Sequence, residues 1–230
     1  MRNLSSTIAV PSTPIEAGGI LPVALGNGLP GEAPPFEVRL RRARLGLLVG
    51  LVGVVMVFIS FTSAYVVRQG LPTLDPNTNA LVRDWFSVQL PGLLFWNTIV
   101  LLLSSGSMEL ARRQALGAVQ LDRERGIPWL GLTVLLGLSF LVGQWTVWQK
   151  LEAGGFYLST NPSSSFVYLL TGTHAVHLLG GVLALLFACG AALLRRPAES
   201  RAVVVDVAGW YWHFMAALWI YIFCLLKFAR

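Results

Sequence analysis

A chain of 230 residues that is 55% hydrophobic and only 12% charged cannot clothe a soluble globule in polar side chains. Its long uncharged runs point instead to a polytopic membrane protein. The net charge of +6 is no sign of a nucleic-acid partner, because the basic residues lie between apolar runs rather than along one face.

In chain order, residues 1–36 come first. They are rich in Pro, Gly, Ala and Ser, have no helical periodicity, and lack the charged start, apolar run and cleavage site of a signal peptide. They read as a disordered or extended arm, solvated or laid along a partner subunit. The remainder, 37–230, reads as one all-α integral membrane domain. Its basic entrance (Arg39, Arg41, Arg42, Arg44) leads into the first of five spans, Leu45–Val67. Each span needs about 20 apolar residues to cross ~30 Å of hydrocarbon. The others are Pro91–Glu109, Pro128–Gln149, Phe166–Leu194 and Val203–Lys227, the second and third opened by a proline that costs nothing at a helix start. Helices alone satisfy the backbone of such open-ended spans in lipid. A nine-residue turn, 195–203, makes the last two an antiparallel hairpin.

Charge orients this five-helix bundle. Of the 17 Lys and Arg residues, 12 precede span one or lie between spans two and three or four and five, and five lie on the other side. The positive-inside rule puts the N-terminus in the cytoplasm and the C-terminus in the periplasm. Trp85, Trp129, Trp145, Trp148 and Tyr157 suit interfacial belts. Cys189 and Cys224 fall near opposite ends of antiparallel spans, roughly 20 Å apart, too far for a disulfide.

All three histidines lie in the last two spans, where polar groups are costly and functional by default: His174, His177 and His213, beside Trp210, Tyr211, Trp212, Trp219 and Tyr221. Imidazoles bind haem or copper elsewhere. Here His174 and His177 share one helix a turn apart, and His213 meets His177 at best. With no Cys, Met or carboxylate at that depth, the imidazoles are expected to hydrogen-bond across helices or to lipid headgroups, with no metal ligand and no catalytic residue. Gly172, Gly180, Gly181, Ala184 and Ala188 mark span four as a close-packing helix, with Gly180, Ala184 and Ala188 forming a small-residue seam. Glu109 reads as a snorkelling ion pair with Arg112 and Arg113. Asp206, about two residues inside span five, is ambiguous. A small transporter is a poor fit, for want of inverted repeats or a charged midplane site.

Three stretches resemble subunit III of the haem–copper respiratory oxidases, the cytochrome c oxidase type. Phe95–Ala111 (FWNTIVLLLSSGSMELA) is similar to the family's Asn-Thr…Ser-Ser helix, with Asn97 and Thr98 in its packing positions. Thr171–Gly181 (TGTHAVHLLGG) resembles its Thr-Gly-Phe-His-Gly-x-His helix, and Trp210–Trp219 (WYWHFMAALW) its closing Trp-Tyr-Trp-His-Phe…Trp helix. With Gln144 in span three, the likeness covers most of Leu45–Phe228, and five spans are the family's short bacterial form. The chain departs from it where Gly53 or Val54 replaces a span-one glutamate, Val147–Trp148 a Glu-aromatic pair, Ala216 an aspartate, and Asp206 a glutamate.

The resemblance implies a subunit of the bacterial cytoplasmic membrane with no cofactor of its own. Haem and copper would sit in partner subunits I and II. Subunit I would be the main contact, and the helix arrangement would hold phospholipid. The chemistry of the residues themselves suggests where: His174, His177, Trp212 and His213 are expected to line a lipid cleft, with Trp210 and Trp219 also in lipid-binding or interhelical positions. The electron donor would be cytochrome c; alternatives are subunit III of a quinol oxidase or the accessory protein of a nitric oxide reductase. A reading from another class is a haem-binding membrane cytochrome.

Overall fold

The computed structural model describes residues 34–74, 80–82, 85, 91–121, 127–158, 161–194 and 197–228. Residues 1–33 of the expected arm lie outside these. Five helices form: α1 (Phe36–Gly70), α2 (Leu93–Leu121), α3 (Ile127–Ala153), α4 (Pro162–Leu193) and α5 (Ala198–Phe228). Each is long and apolar enough to cross a membrane. A small antiparallel pair, β1 (Thr73–Leu74) with β2 (Leu81–Val82), joins α1 to α2 with Thr73 opposite Val82.

The helices overrun the apolar spans. At ~1.5 Å per residue the 35 residues of α1 extend about 52 Å, far beyond the hydrocarbon. Arg39 to Arg44 therefore lie on the helix rather than before it. The expected nine-residue hairpin turn shortens to four, 194–197, because Ala198–Ala202 continue α5 outward. Polarity marks the edge of the membrane, whereas a helix stops where its backbone finds other partners. Past α3, Gly155 does this at φ +81°, a conformation that favours glycine, while Phe156 N–H donates to Leu151 O at 3.0 Å. α4 starts at Asn161-Pro162, where Asn161 N–H reaches Ser164 Oγ at 3.3 Å and Ser165 N–H reaches Asn161 O at 3.1 Å.

Helices α2 to α5 form a ring in which each backbone approaches the next and α5 closes on α2. α1 leans on α4 and α5 alone. Only 6% of its apolar window is buried, against 39% for each of the others. The ring's core is aromatic. Trp212, Trp219 and Phe140 are each at most 1% exposed, and the Phe140 and Trp219 rings meet edge-on at 4.9 Å. Cys189 and Cys224 are free thiols.

Two glycines let the Trp212 ring into this core. A Cβ on Gly137 would come within 2.7 Å of Trp212 Cη2, and one on Gly181 within 2.9 Å of Tyr211 Cε1 and 3.2 Å of Trp212 Cζ3. Gly180, its neighbour, has open space instead. Gly137→Val and Gly181→Val are expected to destabilise the bundle by about 1–3 kcal/mol, the usual cost of overpacking. Thermal unfolding in micelles should show both losses, with Gly180→Ala at the wild-type midpoint.

Candidate functional site

The polar groups of this apolar chain gather on α2, and α5 reads them in antiparallel register. Trp219 Nε1–H donates to Thr98 Oγ1 at 3.0 Å, and Trp212 Nε1–H to Ser104 Oγ at 3.1 Å. His213 Nδ1 lies 2.6 Å from Ser105 Oγ, and its Nε2 lies 3.3 Å from Glu109 Oε2. A neutral ring protonated on Nε2 satisfies both: the serine hydroxyl donates to Nδ1 and Nε2–H donates to the carboxylate. Thr98, Ser105 and Arg112 are seven residues apart, two turns of helix, so they share one face, as do Trp212 and Trp219. A neighbouring face of α2, with Ser104 at its border, grips α3. Asn97 Nδ2 donates to Phe140 O at 3.1 Å, Ser104 Oγ to Thr133 O at 3.1 Å, and Ser107 and Thr133 hydroxyls pair at 2.8 Å.

At its Arg112 end this zipper runs into a network of charges. Asp206 is fully buried, yet three charge-assisted bonds reach its carboxylate: from Arg44 Nε and Nη2 at 2.7 and 2.9 Å and from Arg112 Nη1 at 2.9 Å. Arg112 also donates to Glu109 at 2.8 and 3.2 Å, and Arg113 donates to Glu109 at 2.7 Å. Glu109 thus pairs with both arginines as expected. Asp206 turns out to be interior: it joins α1, α2 and α5 through partners 162 and 94 residues away, a separation that no local pattern reveals. Farther along α1, Arg39 hydrogen-bonds Glu199 and Ser200.

The three histidines diverge. His174 is buried against Trp219, centroids 5.0 Å apart, and Phe140 at 6.1 Å; neither ring nitrogen has a hydrogen-bond partner among the described residues, nor has the amide of buried Gln144. His177 Nδ1–H donates to Thr173 O of its own helix at 2.8 Å, its ring faces Phe58 of α1, and its carbonyl accepts from Tyr211 O–H at 2.8 Å. His213 turns to α2. Among the described residues no group of three or more His, Cys, Asp or Glu side chains is placed to hold a metal ion.

The other site residues separate in the same way. Trp212 and Trp219 are core, whereas Trp210 is 50% exposed under the Arg112 guanidinium, 5.8 Å from its ring centroid. Gly172 sits 4.0 Å, measured from an added Cβ, from Trp148, whose Nε1–H bonds Thr171 Oγ1 at 3.1 Å. The expected seam divides: Ala188 is buried, but Gly180 and Ala184 are exposed and line a groove of about 610 Å³ beside α1. The seam opens because α1 stands off α4 there. At the departures, Val147 and Ala216 are buried apolar core, Val54 packs partly against it, and Gly53 faces open space.

An apolar ring of helices zipped by indole and hydroxyl groups and tied by an interior carboxylate, with five helices long enough to cross a membrane, defines a multi-pass membrane protein. The model of the family "Cytochrome c oxidase subunit III" matches residues 36–229, so the chain belongs to that family. It is 31% identical over 202 residues to "Cytochrome c oxidase subunit 3" of Synechocystis sp., covering 86% of this chain and 80% of that one. It is 28% identical over 202 residues to the protein of the same name from Prototheca wickerhamii, covering 84% and 71%.

Asp206→Asn is expected to destabilise the protein by about 3 kcal/mol, because two arginines then face an uncharged partner where a carboxylate was buried. Arg44→Gln should cost less, since Arg112 still holds Asp206. Hydrogen exchange of the full chain in micelles should show faster exchange in the first third of α1 for Asp206→Asn, ahead of any change in α3.

Proposed function

We propose that this chain is a non-catalytic subunit III of a haem–copper terminal oxidase, stabilising the catalytic subunit and holding lipid in a bacterial cytoplasmic membrane. Haem and copper reside in partner subunits I and II; subunit I is the principal contact, and cytochrome c supplies the electrons. Family membership over residues 36–229 is the observation that carries this reading. The site chemistry supports the non-catalytic part. Trp212, Trp219 and His213 spend their polar atoms on bonds to α2, and the three imidazoles point to three different neighbours. Half-buried His177 is the group that offers a ring nitrogen to a phospholipid headgroup, His213 borders the lipid while bonded to α2, and buried His174 and Trp212 shape the wall behind them.

The test is affinity purification of the full chain in mild detergent, with optical spectra and mass identification of companions. Haem-bearing subunits should co-purify, and His177→Leu should lower lipid retention without altering the haem spectrum. A Soret band that stays with this chain after its companions are removed, and vanishes in His177→Ala, contradicts the assignment.

Orientation follows the distribution of basic residues, with the N-terminus inside. In a background lacking Cys189 and Cys224, Leu158→Cys should react with a membrane-impermeant thiol reagent added outside, and Pro197→Cys should not. The reverse pattern inverts the topology.

A further inference from the structure

We infer that His174 of α4 and Gln144 of α3 form a buried hydration site, in which ordered water links the imidazole to the side-chain amide inside the four-helix ring. The inference rests on the fold alone and stands apart from the oxidase reading.

Register puts the two side chains at one level. Toward one end of the α3–α4 contact, a Cβ added to Gly137 would lie 3.5 Å from Val182 Cγ2. Toward the other, Trp148 Nε1–H donates to Thr171 Oγ1 at 3.1 Å. Residues 137 to 148 and 171 to 182 are equal lengths of antiparallel helix, so Gln144 stands level with residue 175, beside His174. Both side chains face inward. Phe140, Gln144 and Val147 make one buried stripe of α3, and Thr171, His174 and Leu178 make one of α4. His174 is 0% exposed and Gln144 1%.

Each side chain carries polar atoms that nothing else in this part of the fold uses. Nδ1 and Nε2 of His174 and Oε1 and Nε2 of Gln144 are buried without a hydrogen-bond partner among the described residues. Buried polar groups as a rule find partners, because an orphaned one keeps its full desolvation cost. The aromatic rings around the imidazole supply none. Trp219 lies 5.0 Å away and gives its own N–H to Thr98, and Phe140 meets the ring edge-on at 6.1 Å.

A direct bond between the two side chains would not suffice. The ring nitrogens point in different directions, so an amide atom that takes one leaves the other orphaned, together with the second amide atom. Water both donates and accepts, and a buried molecule makes about three hydrogen bonds. It matches the whole set whichever ring nitrogen carries the proton. A metal ion is the poorer match, since among the described residues no three His, Cys, Asp or Glu side chains are grouped to hold one. The water link joins α3 to α4 one turn away from the bond between Trp148 and Thr171.

Water-to-protein cross-relaxation NMR on the full chain in micelles, with histidine and glutamine labelled with nitrogen-15, tests this. The chain has three histidines, and His174→Phe assigns the signal of His174. Rotating-frame cross-peaks should run from water to the His174 ring N–H and to the Gln144 amide, with the sign of dipolar contact rather than of chemical exchange. Gln144→Met keeps the shape of the side chain and drops its polar atoms, and it should remove the cross-peak at His174. The wild-type spectrum decides the site even where a variant fails to fold. Absence of a dipolar water cross-peak at His174 in wild type would overturn the site, and so would one that keeps its full intensity in Gln144→Met.

Discussion

The contact between α2 and α5 is the constraint from which the rest of this bundle follows. Two apolar helices in lipid gain little from burying apolar surface against each other, since acyl chains are equally apolar; packing and hydrogen bonds must fix their register. Here two indoles, one imidazole and one guanidinium project onto Thr98, Ser104, Ser105, Glu109 and Asp206 over two heptads. Sliding the helices by one residue would part both indoles and the imidazole from their α2 partners. Because Trp212 must reach Ser104 through the middle of the ring, α3 and α4 can only approach where they carry glycine, at Gly137 and Gly181. The core aromatics, the small residues and the polar stripe are therefore one arrangement.

α1 is held by different means. Charges bind its N-terminal third, through Arg44 to Asp206 and Arg39 to Glu199. Aromatic rings bind its far end, where Tyr65 meets Trp85 at 5.0 Å and Phe166 at 5.7 Å. Between them only modest contacts such as Tyr221 O–H to Thr62 Oγ1, at 2.9 Å, and Phe58 against His177 bridge the gap. Grooves flank its N-terminal third on both sides, beside the charge pairs.

Much of this was legible in the sequence, and what was not has physical causes. Apolar runs and flanking charges locate five spans because hydrocarbon thickness permits no other use of them. The Glu109 pair with Arg112 and Arg113 is visible because i,i+3 and i,i+4 neighbours share a helix face. The part played by Asp206 was hidden, since its partners come from α1 and α2 and only the fold brings them together. The histidines are plain in the sequence, but their neighbours are not: His174 turns to the core, His177 to α1 and its own helix, and His213 to α2. Helix ends were obscured too, because α1 and α5 run past the apolar boundary on charged turns that still satisfy their own backbone.

A double-mutant cycle at Trp212 and Ser104 tests the α2–α5 zipper most directly. Trp212→Phe, Ser104→Ala and the double variant would be compared by reversible unfolding of the full chain in micelles. A direct hydrogen bond across the helix interface predicts a coupling of about 1 kcal/mol, so that the double variant loses less than the two single losses added together. Strict additivity would contradict the account, because the two side chains would then contribute to stability without each other.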